Sequence, residues 1–276
     1  MTRRADTVAV AQKARSFAAG NGPFYVLGLL AAAGLKLHYS GAGPDDLGWI
    51  LLPTARLVEL LAGIRFAREI HAGLIDHAHR IVIGTSCAGI NFLTIAFCTL
   101  FFTFVHRFGK PWRKLAWLGA CGAIAFSLAA GANALRIVAA IRLYGADIYG
   151  GWATPERVHR IGGTLVYFTV LLAAYFAVER IVSRAASRGP RVRAGGAADE
   201  RAPAATVRAG AAPFFWYALI ALGIPLAHAA ARGDRTRLLE HCLQVVPVCL
   251  GVLVLVPLVS SGYRRLAGRL RQAGRR

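Results

Sequence analysis

Long apolar blocks alternate along this chain with short basic segments. The blocks cover Phe24–His38, Ala88–Val105, Leu115–Leu143, Ile161–Ala177, Pro213–Ala231 and His241–Ser260. Their lengths are of the order of the ~20 residues that a helix needs to cross a hydrocarbon core about 30 Å thick. A further block, Trp49–Ile64, contains Pro53, Arg56 and Glu59, which are costly at mid-bilayer. It is followed by "RFAREIHAGLIDHAHRIVIG", which is too polar to span. Short β-favouring pieces flank His71–His79 there and predict a small hairpin leading to Cys87.

Composition agrees with a membrane protein. The chain has 276 residues, of which 56% are hydrophobic, and its mean hydropathy is +0.50. Those values exceed those of an ordinary soluble domain. No signal-peptidase-like site follows the first block, so it reads as a retained span. The expected fold is an all-α polytopic membrane protein with six to eight transmembrane helices. A small extracytoplasmic hairpin or re-entrant segment precedes Cys87. The chain reads as a single integral membrane domain. Residues 24–177 form its core, 184–212 a flexible basic cytoplasmic linker, 213–260 the last two spans and 261–276 a basic cytoplasmic tail.

The formal charge of +20 would suggest nucleic acid in a soluble protein. Here the cations gather between the apolar blocks and at the termini, as cytoplasmic loops do, so no nucleic-acid partner is expected. The N-terminus, the loop "HRFGKPWRK", the connector Glu179–Ala212 and the Arg-rich tail should all be cytoplasmic. The acidic "GAGPDDLG", the loop Tyr144–Arg157 and "RGDRTR" should lie outside. Six spans satisfy this with both termini inside, provided that Trp49–Ile64 is re-entrant or lies in the interface. Eight would satisfy it if that block crosses and a second crossing occurs near Ile70–Ile83.

On that topology three reactive residues fall in the outer leaflet or at its surface. Cys87, in "GTSCAG", opens the second span. Arg136, in "NALRI", is about 10 Å short of the outer end of the third span at Leu143. Asn133, at i−3, shares its face. His159, in "VHRIGG", enters the following span. A thiolate is a nucleophile favoured beside cations. Histidine moves protons near neutral pH, and an arginine in a dry site holds an oxyanion. The trio suits acyl transfer through a thioester. Ser86 adjoins the sulfur, and Gly84 and Gly89 would let a substrate backbone come close.

Each residue also has a plainer reading. Cys98, Cys121, Cys242 and Cys249 read as small apolar fillers, and Cys87 could be one too, or pair with Cys242. Arg142 reads as a snorkelling cation, whereas Arg136 lies deeper. His38, His71, His77 and His79 rival His159 on composition. Lys36 and His38 read as interface anchors, and the glycines could serve helix packing. The stretch "HAGLIDHAH" could gather His71, His77 and His79 on a metal. No cofactor or resident metal is expected, and no zinc-type Cys-x-x-Cys pair exists.

The order "TSCAGINFL", "NALRI", "VHRIGG", each beside a membrane block, resembles the exosortase/archaeosortase family, most closely its exosortase K branch. "GWILLPTARLVELLAG" ahead of a short extracytoplasmic segment is also similar. The resemblance covers roughly Asp45–Tyr175. It implies a multi-spanning cysteine peptidase/transpeptidase of the bacterial cytoplasmic membrane, with its active site facing outside. Its implied partners are secreted proteins that end in a short motif, an apolar helix and a basic cluster. The acyl group would pass to an acceptor nucleophile. Cys87 then matches the nucleophile, Arg136 and His159 the family's arginine and histidine, and Asn133 the asparagine of Asn-x-x-Arg. Many members carry Ser after the cysteine, where this chain has Ala88. The alternatives are a small transporter or membrane assembly factor, with Arg136 lining a polar path, and an intramembrane serine protease. The last would need a Gly-x-Ser-Gly-like nucleophile, and "GTSCAG" departs from it.

Overall fold

The computed structural model describes residues 2–78, 81–144, 149–151, 153–187, 202–232 and 239–256. His79, the "RGDRTR" loop from Gly233, residues 257–260 of the last expected span and the Arg-rich tail therefore lie outside the described residues, as does the middle of the 184–212 connector. The chain divides into two compact units, Met1–Gly131 and Ala132–Arg276.

The first unit begins with helix α1 (Thr2–Gly41), followed by α2 (Gly48–Ala62). Strands β1 (Ala67–Glu69), β2 (Gly73–Asp76) and β3 (Ile81–Ile83) come next, then α3 (Ile90–Phe104). Helix α4 (Pro111–Tyr144) contributes as far as Gly131. α3 is the core of this unit. Phe92, Leu100, Phe101 and Phe104 on it are almost wholly buried. α1 packs along α3 at Gly28, where a Cβ would come 2.3 Å from the Phe101 ring. Tyr25 and Phe102 stack beside that contact at 5.7 Å.

α2 ends where Gly63 takes a left-handed conformation (φ 73°) and donates its N–H to the Glu59 carbonyl. With 15 residues it is about 22 Å long, too short to cross a ~30 Å core. Its apolar residues Ile50, Leu51 and Val58 are buried within the unit. The segment after it forms an antiparallel sheet in the order β1-β2-β3. Ala67 pairs with Ile75, and Leu74 with Ile83. The expected hairpin is therefore a three-stranded meander. Its middle strand, "GLID", opens on glycine and has only four residues, too few to show an alternating pattern. Among the described residues of Ile70–Ile83, the alternative location of a further crossing, Gly73–Asp76 and Ile81–Ile83 are strands paired with each other and not a spanning helix. Asp45 clamps the β1–β2 turn. Its carboxylate accepts the His71 N–H at 2.9 Å and approaches Arg68 Nη2 at 3.3 Å and His71 Nδ1 at 3.2 Å. His71 itself takes a left-handed φ of 63°, unusual for a residue with a side chain.

The second unit holds the rest of α4 with α5 (Pro155–Ser187), α6 (Ala202–Arg232) and α7 (Leu239–Val256). Phe168, Leu171 and Leu172 of α5 are buried, and Phe168 meets Phe214 and Tyr217 of α6 edge-on. Gly210 of α6 leaves room for Leu253 of α7, which a Cβ would approach to 2.5 Å. The 184–212 connector is helical at both described ends, because α5 continues to Ser187 and α6 starts at Ala202. Its alanines favour helix over coil.

Among the described residues, five helices are long and apolar enough to cross a membrane: Arg15–Gly41, Thr85–Arg107, Pro111–Tyr144, Pro155–Ala185 and Leu239–Val256. The block expected at Pro213–Ala231 lies wholly within α6. The protein is mostly helical, and much of its apolar surface faces outward. Leu30 and Leu37 of α1 are 64% and 72% exposed. Such surface is unfavourable in water by about 25 cal/mol per Å² and costs nothing against lipid.

Candidate active site

In the first unit, β3 delivers the chain into a tight connection. Gly84 is extended, Thr85–Cys87 make one turn of 3-10 helix, and Gly89 takes φ 68° and ψ 15° before α3 begins. The Cys87 N–H donates to the Gly84 carbonyl at 2.9 Å, and the Ala88 N–H to that of Thr85 at 3.1 Å. Ile83, Ala88 and Ile90 on either side are buried, which anchors the turn and leaves Cys87 at the boundary between interior and surface. The Ser86 Oγ lies 3.9 Å from the Cys87 Sγ. None of the five cysteines is in a disulfide.

Ala88 is wholly buried. A hydroxyl there would need an internal partner, because an unmatched buried polar group is costly. Gly89 and Gly84 differ in what they require. The left-handed conformation of Gly89 disfavours any side chain, whereas the extended Gly84 (φ −108°) does not.

α1 also reaches this turn. The Tyr39 hydroxyl donates to the Thr85 carbonyl at 3.4 Å, and Lys36 Nζ donates to Asn91 Oδ1 at 2.8 Å. The Lys36 ammonium lies 5.0 Å from the centre of the Tyr39 ring. Lys36, expected as an interface anchor, thus joins α1 to the first turn of α3. Sequence reading missed these contacts because they join residues 46 and 55 positions apart.

In the second unit, α4 and α5 bring the other sequence-predicted residues together. Asn133 and Arg136 lie one turn apart on α4. On α5, His159, Gly163 and Tyr167 follow at i, i+4 and i+8, one helical face. The Tyr167 hydroxyl donates to Oδ1 of Asn133 at 2.9 Å, and Asn133 is fully buried. The Arg136 guanidinium lies 5.4 Å from the Tyr167 ring centre, within cation–π range. Gly163 accommodates the arginine stem, since a Cβ there would stand 3.1 Å from Arg136 Cδ. The Nε of Arg136 is buried without a hydrogen-bond partner among the described residues.

His159 borders a cavity of about 290 Å³ with Tyr144, Tyr149 and Glu156. The cations beside His159 in sequence are occupied, Arg157 by Glu240 and Arg160 by Glu156. Of the rival histidines, His77 contacts Glu69 at 2.7 Å, His71 is held by Asp45 and His38 is exposed at the end of α1.

The sequence-predicted residues thus form two groups: Ser86, Cys87 and Gly89 at the mouth of α3, and Asn133, Arg136 and His159 between α4 and α5. Tyr167 belongs with the second group. Its eight-residue spacing from His159 was its only signal. No family model, curated protein or solved structure matches this chain.

Proposed function

We propose that the chain is an exosortase-like cysteine transpeptidase of the bacterial cytoplasmic membrane. It would cleave the C-terminal sorting signal of secreted proteins and pass the new acyl end to an acceptor. The observation that carries this reading is Arg136, a cation whose buried Nε has no partner among the described residues, set against Gly163 and Tyr167 at a helix face that also bears His159. A donor kept dry and uncommitted suits charge that appears only during reaction.

In this reading the Cys87 thiolate attacks the scissile carbonyl carbon, forming a C–S bond and a tetrahedral oxyanion that Arg136 stabilises. Collapse breaks the C–N bond, and His159 gives its proton to the departing amine. The product is a thioester on Cys87. His159 then takes a proton from the incoming nucleophile, which attacks the thioester carbonyl and releases the thiolate. Tyr167, itself tied to Asn133, lies against the Arg136 guanidinium and would position it.

The positive-inside pattern supports both termini in the cytoplasm and Cys87 on the outer side. The apolar helix of the substrate would lie in lipid, with its basic end toward the cytoplasm. Local pairing weighs against a transporter or assembly factor. Three ionisable residues near the apolar blocks have partners and do not line a polar path: Glu240 with Arg157, Lys36 with Asn91, and Glu59 with the Phe66 N–H.

The test is replacement of Cys87 by Ala, with secreted proteins of the host followed by mass spectrometry. Loss of C-terminal processing, and an adduct on wild-type Cys87 from a substrate-like peptide, are expected. Unchanged processing would sink the enzyme reading.

A further inference from the structure

The two charges in α2 have different fates. Glu59 accepts the Phe66 N–H at 2.8 Å and so helps to cap its own helix. Arg56, three residues earlier and within pairing distance in principle, makes no hydrogen bond or ion pair with any described residue. It borders an open groove of about 720 Å³ between α2 and α4, inside the first unit. Trp49 stacked on Phe126 (6.0 Å, 25°) forms one wall, and Leu52, Leu57 and Leu60 continue the apolar lining. The other polar residue of note there, Ser127, donates its hydroxyl to the Ala123 carbonyl at 3.0 Å. Among the described residues, no carboxylate lines the groove. One cation therefore stands in apolar walls, and the carboxylate nearest to it in sequence, Glu59, is engaged by the Phe66 N–H instead.

We propose that this groove is a binding site for one anionic phospholipid, its phosphate on Arg56 and an acyl chain along Leu52, Leu57, Leu60 and Phe126. A guanidinium matches a phosphate with two parallel N–H···O bonds, and the match strengthens where water is scarce. The volume falls within the roughly 300–1,000 Å³ of small-molecule sites. α2 is shorter than the hydrocarbon core is thick, so the Arg56 stem can carry its charge to headgroup depth while the leucines remain in the apolar layer. The site rests on the membrane location alone and is independent of catalysis at Cys87.

The experiment uses the full chain in mixed micelles containing equal amounts of phosphatidylglycerol and phosphatidylcholine, read by native mass spectrometry. The wild type should retain phosphatidylglycerol about tenfold over phosphatidylcholine, the scale of one charge-assisted interaction. Arg56→Gln should abolish that preference, and Arg56→Lys should keep part of it. Leu52→Trp, which narrows the groove at a partly exposed position, should lower retention of both lipids. Equal retention by the wild type overturns the proposal, as does a preference unchanged in Arg56→Gln. A photoreactive group at Leu57 should capture lipid in membranes. Capture of a polypeptide instead would make the groove a protein-docking site and also overturn it.

Discussion

Single residues carry two of the sharpest expectations. Gly89 is left-handed and Gly84 is extended, although the sequence suggested the same role for both. Gly89→Ala should destabilise the protein by about 1–2 kcal/mol, the cost of a left-handed residue with a Cβ. Gly84→Ala should be nearly neutral, since its Cβ meets only the Ala72 carbonyl at an ordinary 3.8 Å. Thermal unfolding in detergent separates the two, and equal losses would show that both glycines serve close packing. Tyr167 offers a second case. Tyr167→Phe removes the donor to buried Asn133 while leaving the ring under Arg136, and should cost about 1–3 kcal/mol. Tyr167→Ala also removes the ring and should slow signal processing well beyond its effect on unfolding. Equal activity in both variants would argue against a role in holding Arg136. The sequence exposed Cys87, Arg136 and His159 because reactive side chains are conspicuous in apolar surroundings. It hid Tyr167 because an aromatic residue in a membrane helix is ordinary.

At the scale of elements, continuous apolar runs were readable because a helix in lipid needs an apolar surface along its whole length. Helix ends were not. The run Phe24–His38 lies inside a helix that extends from Thr2 to Gly41, since polar residues outside the hydrocarbon core continue a helix as well as any. Lys114 shows why loop charges mislead locally. It counts toward the basic loop, yet it is buried in the first turn of α4, donating to the Gly20 carbonyl at 2.6 Å and to Asn21 Oδ1 at 2.7 Å. It ties α1 to α4 as well as marking a side of the membrane. The small sheet depends instead on Asp45. The His71 N–H foremost, with Arg68 and the His71 ring, holds the Asp45 carboxyl below the usual carboxylate range. A carboxylate with a depressed folded-state value stabilises above its unfolded value, about 3.9, and loses that contribution as pH falls through the lower folded value. Proteolysis at residues 64–78 should therefore be slow at neutral pH and rise under acid conditions. Asp45→Asn should cleave faster already at pH 7, with a flatter pH response. An unchanged profile would show that Asp45 does not hold the turn.

For the whole molecule, the five long apolar helices among the described residues, with their outward-facing leucines, argue for a bilayer, while the direction of insertion rests on charge alone. The basic segments lie at alternate ends of successive apolar blocks, and the energetic preference for cytoplasmic Lys and Arg assigns their side. Cys87 provides the reporter. It is partly exposed, whereas Cys98, Cys121 and Cys249 are buried and should not react with a bulky polar reagent. Cys242 is also partly exposed and is best replaced by Ser, so that one accessible sulfur remains. In intact spheroplasts a membrane-impermeant maleimide should then label the Cys87 peptide, and Cys87→Ser should abolish the signal. Labelling that appears only after permeabilisation would place the mouth of α3 toward the cytoplasm. Secreted proteins would then be out of reach of the sulfur, and the proposed reaction would fail with the orientation. The lipid groove at Arg56 would be untouched by that result, because it needs a bilayer and not a particular side of one.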